Sequence, residues 1–573
     1  MNPLQQALTL HQSGNPAAAI PLYHQFLTQN PNHDPTHYNL ALAHLQLGNP
    51  AAAIPHFQTV LSLAPHYMLA HANLGYAYLL TDQLDNAITT LNHAITLAPN
   101  ISKLHLHLAH AHKARGELTE ALTHYRRAIQ LDPSDPAPQS SLLYSLYYHP
   151  DSTPESIYNE HAAWAKRLPI AHCQLPTEES PDQLAIGNRQ SAMPCRLRIA
   201  YLGSNFNNHC QSLFTYPLLS HHNHEQFEIF IYSSTARPDD ITDKLRPFAD
   251  HWLDVAHLTD DQLAAQIRTD HIDILIDLTM HMADNRLRVL AQKPAPLQLT
   301  WLAYPGTTGL PQIDYRLTDP HLDPVPNADC PLPIEQSPNQ SAIGNRQSAI
   351  YSETSLPLPN TFWCYNPLTT EPSVNALPAL TNNHITFACL NNFCKITQPT
   401  LHLWSQVLHA LPTSRMLILA PEGSARTRVL NQLAIDPARI TFLNRQPRQQ
   451  YLELYHRIDL CLDTFPYNGH TTSLDACWMG VPVITLAGGG GQTAVSRAGL
   501  SQLTNLNLPE LIAHSPQEFV EIAKSFTHDL PRLAHLRSTL RERMQNSPLM
   551  NAPQFTRDIE SLYRRAWLEF RLL

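Results

Sequence analysis

The first 135 residues repeat one pattern of small, apolar and turn-forming positions with a period of 34 residues. Four kinds of position keep the period: a turn residue, a small alanine, a large apolar side chain and a proline. They are Gly14, Gly48, Asp82 and Gly116; Ala19, Ala53, Ala87 and Ala121; Tyr23, Phe57, Leu91 and Tyr125; and Pro31, Pro65, Pro99 and Pro133. One period is long enough for a pair of helices, so the pattern predicts helix pairs that bury their apolar faces against neighbouring pairs.

A 34-residue helix pair with small residues where the helices cross is the tetratricopeptide pattern, and about four such repeats are predicted over residues 1–135. Asp82 fits the turn position of the third repeat because aspartate tolerates left-handed backbone. Such arrays form a superhelix with a groove that binds extended protein segments, so a protein partner is expected. Residues 136–196 are predicted as a bridge of two further helices followed by a polar linker.

From residue 197 onward, short apolar runs alternate with longer segments of helical pattern. This alternation predicts parallel sheets and two Rossmann-like α/β domains, 197–380 and 381–573, the first with a low-complexity insert near 335–352. The octapeptide AIGNRQSA occurs twice, at 185–192 and 342–349. Identical copies in two loop segments indicate inserted repetitive sequence, to which no function is assigned.

The most informative stretch runs from Asp459 to Leu503. It reads as a strand at Leu460–Leu462, a turn, a helix beginning near Ser473, a second strand and a glycine loop. Helix starts carry unpaired N–H groups and the positive end of a dipole, so they bind anions. The pattern favours a nucleotide diphosphate held without a metal, although Thr471 and Thr472 could instead simply cap the helix.

Composition narrows the class of partner and the compartment. The formal charge is −10 and only 15% of residues are charged, which gives a nucleic-acid partner no electrostatic support. The nine cysteines are scattered, as expected for reduced thiols in a cytoplasmic protein. The sequence shows no signal peptide and no apolar run that predicts a membrane span. No metal is expected, because D-x-D is absent and the four histidines His105, His107, His110 and His112 read as groove or surface residues.

The motif N-G-H-T-T-x-x-D-x-x-W-x-G-x-P-V-I-T at 468–485 resembles the donor-site signature of the protein O-GlcNAc transferase and SPINDLY family. The resemblance extends over nearly the whole chain and implies a tetratricopeptide solenoid followed by a GT-B-type pair of Rossmann-like domains. It implies an inverting, metal-independent glycosyltransferase without cofactor that moves GlcNAc from UDP-GlcNAc to Ser or Thr hydroxyls of intracellular proteins bound by the array.

Residues that match the family's motif receive roles from the resemblance. Lys395 is expected to offset charge on the departing diphosphate, and His209 is a candidate general base. The loop 306–309 and His281 are expected to line the ligand-binding cleft. The residues expected to bind the donor are Asn392, Lys395, Gln446, Arg448, Tyr451, His470, Thr471, Thr472 and Asp475.

Three alternatives stay open from the sequence. One is a SPINDLY-like protein O-fucosyltransferase that uses GDP-fucose, since the segment 279–286 resembles the plant branch. Another is a scaffold without activity, because repeat arrays are commonly adaptors. The third is an oxidoreductase with a dinucleotide, which the missing G-x-G-x-x-G fingerprint disfavours.

Overall fold

The computed structural model describes residues 2–168, 196–324, 350–488 and 493–572. Both copies of AIGNRQSA, the polar linker and most of the glycine loop after residue 488 therefore lie outside the described residues. Contacts divide the chain into two compact units, described separately below. The first unit is Met1–Ser145, Asn392–Leu401 and Ile418–Arg445; the second is Leu146–Asn391, His402–Leu417 and Gln446–Leu573. The domain boundaries predicted above stay predictions.

Ten helices occupy residues 2–168, and consecutive helices pair through the first eight as the period predicts. They are α1 (Pro3–Gln12), α2 (Pro16–Gln29), α3 (Asp34–Gln46), α4 (Pro50–Leu63), α5 (Met68–Leu80), α6 (Leu84–Leu97), α7 (Ser102–Ala114), α8 (Leu118–Leu131), α9 (Pro136–Leu146) and α10 (Pro154–Ala165). The helices α1–α8 form the four predicted repeats, and α9 and α10 are the two helices predicted for the bridge. The tetratricopeptide array is thus confirmed.

The repeated positions have the structural roles that the sequence predicts. The alanines and large apolar residues that keep the 34-residue period are fully buried, and the turn glycines have positive φ. Asp82 takes the same turn conformation with φ of 56°, as expected for aspartate in a left-handed turn.

The first sheet has seven parallel strands in the order β3-β2-β1-β4-β5-β6-β7. They are β1 (Leu197–Gly203), β2 (Phe227–Ser233), β3 (His251–Asp254), β4 (Ile274–Asp277), β5 (Leu297–Thr300), β6 (Tyr315–Thr318) and β7 (Thr354–Pro357). Strand order reverses between β1 and β4, and ligands of doubly wound sheets bind at the carboxyl ends beside such a reversal. The strand β3 has no counterpart in the predictions, because this short edge strand is partly exposed and lacks an apolar run.

The second sheet has the strand order β10-β9-β8-β11-β12-β13. Its strands are β8 (Thr386–Cys389), β9 (Arg415–Leu419), β10 (Ile440–Leu443), β11 (Leu460–Leu462), β12 (Val483–Leu486) and β13 (Ile512–Ala513). The order reverses between β8 and β11, which places the residues that follow these two strands at the ligand-binding edge. The expectation of two Rossmann-like sheets is therefore confirmed.

The C-terminal helix Ala552–Leu572 packs on the first sheet's domain. The Tyr563 hydroxyl lies 3.3 Å from that of Tyr201 in β1, and the Glu560 carboxylate lies 3.0 Å from Nδ1 of His222. No helix among the described residues is long and apolar enough to span a membrane. The six cysteines in the described ranges are all free of disulfide bonds.

Candidate functional site

The turn after β11 is fixed by one buried carboxylate. Asp463 directly follows the strand, and its Oδ1 accepts hydrogen bonds from the backbone N–H groups of Thr464 at 2.8 Å and Gly469 at 2.7 Å. Its Oδ2 accepts from the hydroxyl of Thr485 in β12 at 2.8 Å. Because one side chain ties both ends of the turn to the next strand, the chain is led back to the sheet edge before the following helix begins.

Gly469 is required by the close approach of its neighbours. A Cβ added here would clash with the hydroxyl of Ser473 and would lie 3.1 Å from Oδ1 of Asn391 and 3.2 Å from Oδ1 of Asp463. Any larger residue would push the turn away from the sheet. The glycine of the motif therefore sets the position of the helix start.

The helix Thr471–Trp478 begins immediately after the turn. By helix geometry its first N–H groups have no partner within the helix, so they offer donors to an anion. His470, Thr471 and Thr472 are partly exposed. The imidazole of His470 lies between two aromatic rings, 4.9 Å from Tyr467 and 5.5 Å from Trp363. The structure thus brings these three predicted donor residues together at one helix start.

Asn391 is a site residue that the predictions missed. It follows β8 at the strand-order reversal, is buried, and accepts a short hydrogen bond from the hydroxyl of Thr472. Its amide also donates to the hydroxyl of Thr464 at 2.9 Å. The predicted residue, Asn392, is exposed and belongs to the first unit. The signal that could have found Asn391 is its place directly after the strand that neighbours β11.

Asp475 and Arg448 form a bidentate ion pair. The two guanidinium nitrogens Nη1 and Nη2 lie 2.6 and 2.7 Å from the carboxylate oxygens, and the hydroxyl of Tyr365 donates to the same carboxylate at 2.6 Å. Burial lowers the pKa of Arg448, but the Asp475 carboxylate outweighs burial and raises it above its ordinary value. Asp475 is only 2% exposed, so its predicted contact with a sugar hydroxyl stays a prediction and its visible role is to hold Arg448.

Tyr451 connects that ion pair to the helix start. Its hydroxyl lies 2.7 Å from the hydroxyl of Tyr455, which donates to the carbonyl of Thr472 at 3.1 Å. The guanidinium of Arg448 lies 5.7 Å from the Tyr451 ring. Burial raises the pKa of Tyr451 well above its usual range, so the phenol stays neutral. Its stacking on a base, and the contact of the exposed Gln446 with that base, stay predictions.

Lys395 belongs to the first unit and is partly buried. It ends the 3₁₀ helix Phe393–Lys395, whose N–H at Lys395 donates to the carbonyl of Asn392 at 2.9 Å. This short helix places the lysine shortly after β8. Its contact with a diphosphate stays a prediction.

A cleft of about 580 Å³ lies within the first unit. It is lined by the third-repeat turn, by Asn392 and Phe393, and by the chain after β9 and β10. Asp85, in the first turn of α6, accepts hydrogen bonds from the backbone N–H of Ser424 at 2.8 Å and from its hydroxyl at 2.6 Å. The carboxylate thereby caps the helix Ser424–Leu433 from another part of the chain.

His209 lies on the loop after β1, next to the strand-order reversal of the first sheet. Its Nδ1 accepts the N–H of Gln211 at 3.3 Å, and Gln211 in turn donates to the carbonyl of Leu278 after β4 at 2.5 Å. Burial lowers the pKa of His209 below 6.5. The imidazole is therefore neutral at neutral pH, which is the form that a general base requires.

Two expectations about the first Rossmann-like domain are wrong. Thr307 and Thr308 are fully buried, and their hydroxyls donate to Glu353, so the loop 306–309 does not present them to a cleft. His281 is 1% exposed, with its Nε2 donating to the Thr308 carbonyl at 2.8 Å. Residues distant in the sequence cover both the loop 306–309 and His281.

The expectation that the array's histidines lie in a groove or on the surface also needs correction. His105 and His112 are buried between helices, because their rings pack against that of His124.

The family model described as glycosyl transferase family 41 matches residues 135–331 and 367–559, and tetratricopeptide models match 10–54, 38–101 and 109–142. The tomato (Solanum lycopersicum) protein named probable UDP-N-acetylglucosamine–peptide N-acetylglucosaminyltransferase SPINDLY is 34% identical over 445 residues, 76% of this chain. The Arabidopsis thaliana protein named SEC is 29% identical over 384 residues, 65% of this chain.

The match to the tomato relative covers 44% of that protein, so the chain spans less than half the length of such curated relatives. Among solved structures, a mutant of the Thermobaculum terrenum O-GlcNAc transferase superposes with a TM-score of 0.80 and 30% identity. That alignment covers 94% of this chain and 98% of the other. The family model accounts for both sheets and for the strand–turn–helix that carries His470, Thr471 and Thr472, and the chain therefore belongs to glycosyl transferase family 41.

Proposed function

We propose that the chain is an inverting protein O-glycosyltransferase that moves GlcNAc from UDP-GlcNAc to Ser or Thr hydroxyls without a metal. The observation that carries the proposal is the helix start at His470–Thr472, fixed by Asp463 and Gly469 at the strand-order reversal of the second sheet. Free N–H groups and threonine hydroxyls at this edge suit a diphosphate. Family membership and the names of the relatives support the sugar and the acceptor class.

In the proposed reaction the acceptor oxygen attacks the anomeric carbon from the face opposite the diphosphate. The bond between that carbon and the diphosphate oxygen breaks, and UDP leaves with the electron pair. The N–H groups and hydroxyls of Thr471 and Thr472, together with the cation of Lys395, offset the charge that develops on UDP. His209 takes the acceptor's proton, for which its lowered pKa keeps it in the neutral form.

The ion pair between Arg448 and Asp475 has a positioning role in this proposal. Through Tyr451 and Tyr455 it fixes the backbone at Thr472, so the donors at the helix start are held before substrate arrives. Preorganised donors of this kind contribute more to rate than donors that must reorient.

The proposed acceptors are cytoplasmic proteins bound by the tetratricopeptide array. The cleft of about 580 Å³ at the third-repeat turn is the proposed contact for an extended segment of the acceptor, and Arg445 and Asp82 line it. Replacement of Arg445 by Glu should raise KM for a protein acceptor and leave hydrolysis of the donor unchanged. The same substitution at Arg415, an exposed residue outside the cleft, is the matched control.

A nucleotide-sugar panel tests the proposal directly. The purified chain is incubated with UDP-GlcNAc, UDP-galactose or GDP-fucose, with and without EDTA, and release of the nucleoside diphosphate is measured. UDP-GlcNAc should be consumed fastest, EDTA should have no effect, and UDP should raise the melting temperature. Loss of activity in EDTA or failure to release UDP would contradict the proposal.

Protein O-fucosylation from GDP-fucose is the second candidate. Several SPINDLY relatives match at 32–34% identity, higher than the 29% of SEC, which favours the SPINDLY branch that the sequence around residues 279–286 resembles. Faster turnover of GDP-fucose than of UDP-GlcNAc in the panel would select this candidate.

A further inference from the structure

A cluster of histidines in the first two repeats takes no part in the proposed reaction. Among the described residues, one group of three side chains has the spacing of a metal site: His24, His44 and His56. Each offers one ring nitrogen, and the three nitrogens lie within 4.8 Å of one another. The residues come from three successive helices, α2, α3 and α4.

Hydrogen bonds determine which nitrogen of His56 is available. The carbonyl of Pro31 can only accept, so the Nε2 of His37, 2.9 Å away, carries a proton. In the neutral His37 ring, Nδ1 is then an acceptor, and the Nδ1 of His56 at 3.1 Å donates to it. This leaves the Nε2 of His56 with a free lone pair. A histidine whose other nitrogen donates to a fixed partner is the usual arrangement of a metal ligand.

The other two ligands are compatible with the same ion. The Nδ1 of His44 is buried and makes no hydrogen bond, and its ring is parallel to that of His56 at 6.0 Å. His24 is exposed, with its ring 5.9 Å from that of His56.

The array contains a second copy of this arrangement with one ligand missing. His105 and His124, 68 residues after His37 and His56, repeat the relay with distances of 3.0 Å to the Pro99 carbonyl and 3.2 Å between Nδ1 atoms. Asn92 stands where the first copy has His24. There His112, the counterpart of His44, instead has its Nδ1 2.6 Å from Glu117. The repeat fold therefore does not itself require a histidine at position 24.

We propose that His24, His44 and His56 bind one divalent transition-metal ion that prefers imidazole ligands, the class to which Zn²⁺ belongs. Zinc–nitrogen bonds of about 2.0–2.1 Å bring tetrahedral ligands to about 3.3 Å apart, so the exposed His24 must turn inward, and water supplies the fourth ligand. Three imidazoles without a carboxylate disfavour Mg²⁺ and Ca²⁺. The bound ion ties α2, α3 and α4 together and stabilises the first two repeats by mass action.

The test uses the full chain without an affinity tag, freed of metal by a chelator. Calorimetric titration with Zn²⁺ should reveal one tight site per chain, and Co²⁺ should give the intense visible absorption of tetrahedral coordination. His24→Gln alters an exposed side chain, so the protein should fold while Zn²⁺ affinity falls at least about tenfold. His44→Gln should do the same, whereas His66→Gln, an exposed histidine outside the cluster, should bind Zn²⁺ as the unaltered chain does.

Thermal unfolding supplies a second readout. Zn²⁺ should raise the melting temperature of the unaltered chain and of His66→Gln, and this increase should disappear in His24→Gln. Absence of a tight site in the unaltered chain would overturn the proposal, and so would a Zn²⁺ affinity in His24→Gln or His44→Gln equal to that of the unaltered chain.

Discussion

Two identical dipeptides in the second unit, Thr307–Thr308 and Thr471–Thr472, have opposite surroundings. The first pair is completely buried, and its hydroxyls donate to one carboxylate, Glu353, while the N–H of Thr307 donates to the Tyr147 hydroxyl at 2.9 Å. The second pair is partly exposed at the start of a helix, where N–H groups remain available. The first pair holds a loop in place, and the second offers donors to a ligand.

The difference comes from residues far away in the sequence. Glu353 lies 45 residues after Thr308 and accepts hydrogen bonds from both hydroxyls of the first pair and from the N–H of Thr308. The second pair lies partly exposed at the strand-order reversal, and the hydroxyl of Thr472 donates to Asn391. A motif of two threonines beside glycine thus does not distinguish a structural loop from a binding site; a buried carboxylate does.

The largest expected effect concerns Lys395, the cation proposed to act with Thr471 and Thr472 on the departing diphosphate. Lys395→Ala should lower kcat by about 10²–10³, because one preorganised charge facing the leaving group is lost. The melting temperature should change little, and Lys103→Ala, at an exposed lysine of the array, is the control. Steady-state kinetics with UDP-GlcNAc decide the matter: more than about a tenth of the original kcat in Lys395→Ala would remove the assigned role.

Loss of Glu353, the carboxylate that accepts hydrogen bonds from Thr307 and Thr308, should lower stability and not activity. Glu353→Ala leaves three buried donors of Thr307 and Thr308 without their acceptor and should lower the free energy of unfolding by about 2–3 kcal/mol. Thermal and urea unfolding measure this loss, with the exposed Glu225→Ala as control. An unchanged midpoint would show that the loop does not depend on Glu353.

Replacement of one threonine by valine in each Thr–Thr dipeptide tests whether the two dipeptides differ in role. Thr471→Val should lower kcat/KM by about tenfold with almost no change in melting temperature, because the lost hydroxyl is partly exposed and is worth one hydrogen bond to substrate. Thr308→Val should lower the melting temperature and leave kcat/KM of the folded enzyme intact. If both variants lose activity equally at equal stability, the two pairs do not differ as described.

The smallest expected effect is the pH dependence of kcat/KM. Because burial lowers the pKa of His209 below 6.5, the neutral base persists at least down to that pH. The proton-accepting form should therefore decrease less than about twofold between pH 7.5 and 6.5, and kcat/KM should fall only at lower pH. The acid limb should be absent in His209→Asn; a limb that persists in this variant would assign the titration to another group.

Local regularity explains what the sequence could predict. The 34-residue period located every helix of the array and even the left-handed backbone of Asp82. The bounds of β11 were correct because its three apolar residues lie between an acidic residue and a turn. These features depend on neighbours within a few residues, or on a pattern that recurs along the chain with a fixed period.

The remaining features depend on contacts that no local pattern contains. The prediction placed His281 in a cleft, yet it packs against Trp164 of α10, 117 residues earlier, at 4.6 Å between ring centroids. Asn391 was overlooked in favour of Asn392, since adjacent amides look alike until the strand order shows which one faces Thr472. Burial and cross-strand partners are properties of the folded chain.

The cap that Asp85 provides for the helix Ser424–Leu433 limits how this array can evolve. Repeat proteins commonly change length by duplication or deletion of whole units. Here the third repeat supplies the cap, and the fourth accepts a hydrogen bond from Arg428 at the carbonyl of Arg115, so loss of either would leave backbone and guanidinium groups of another segment without partners. Gain or loss of repeats on the amino-terminal side of the third repeat would leave these hydrogen bonds of the first unit intact.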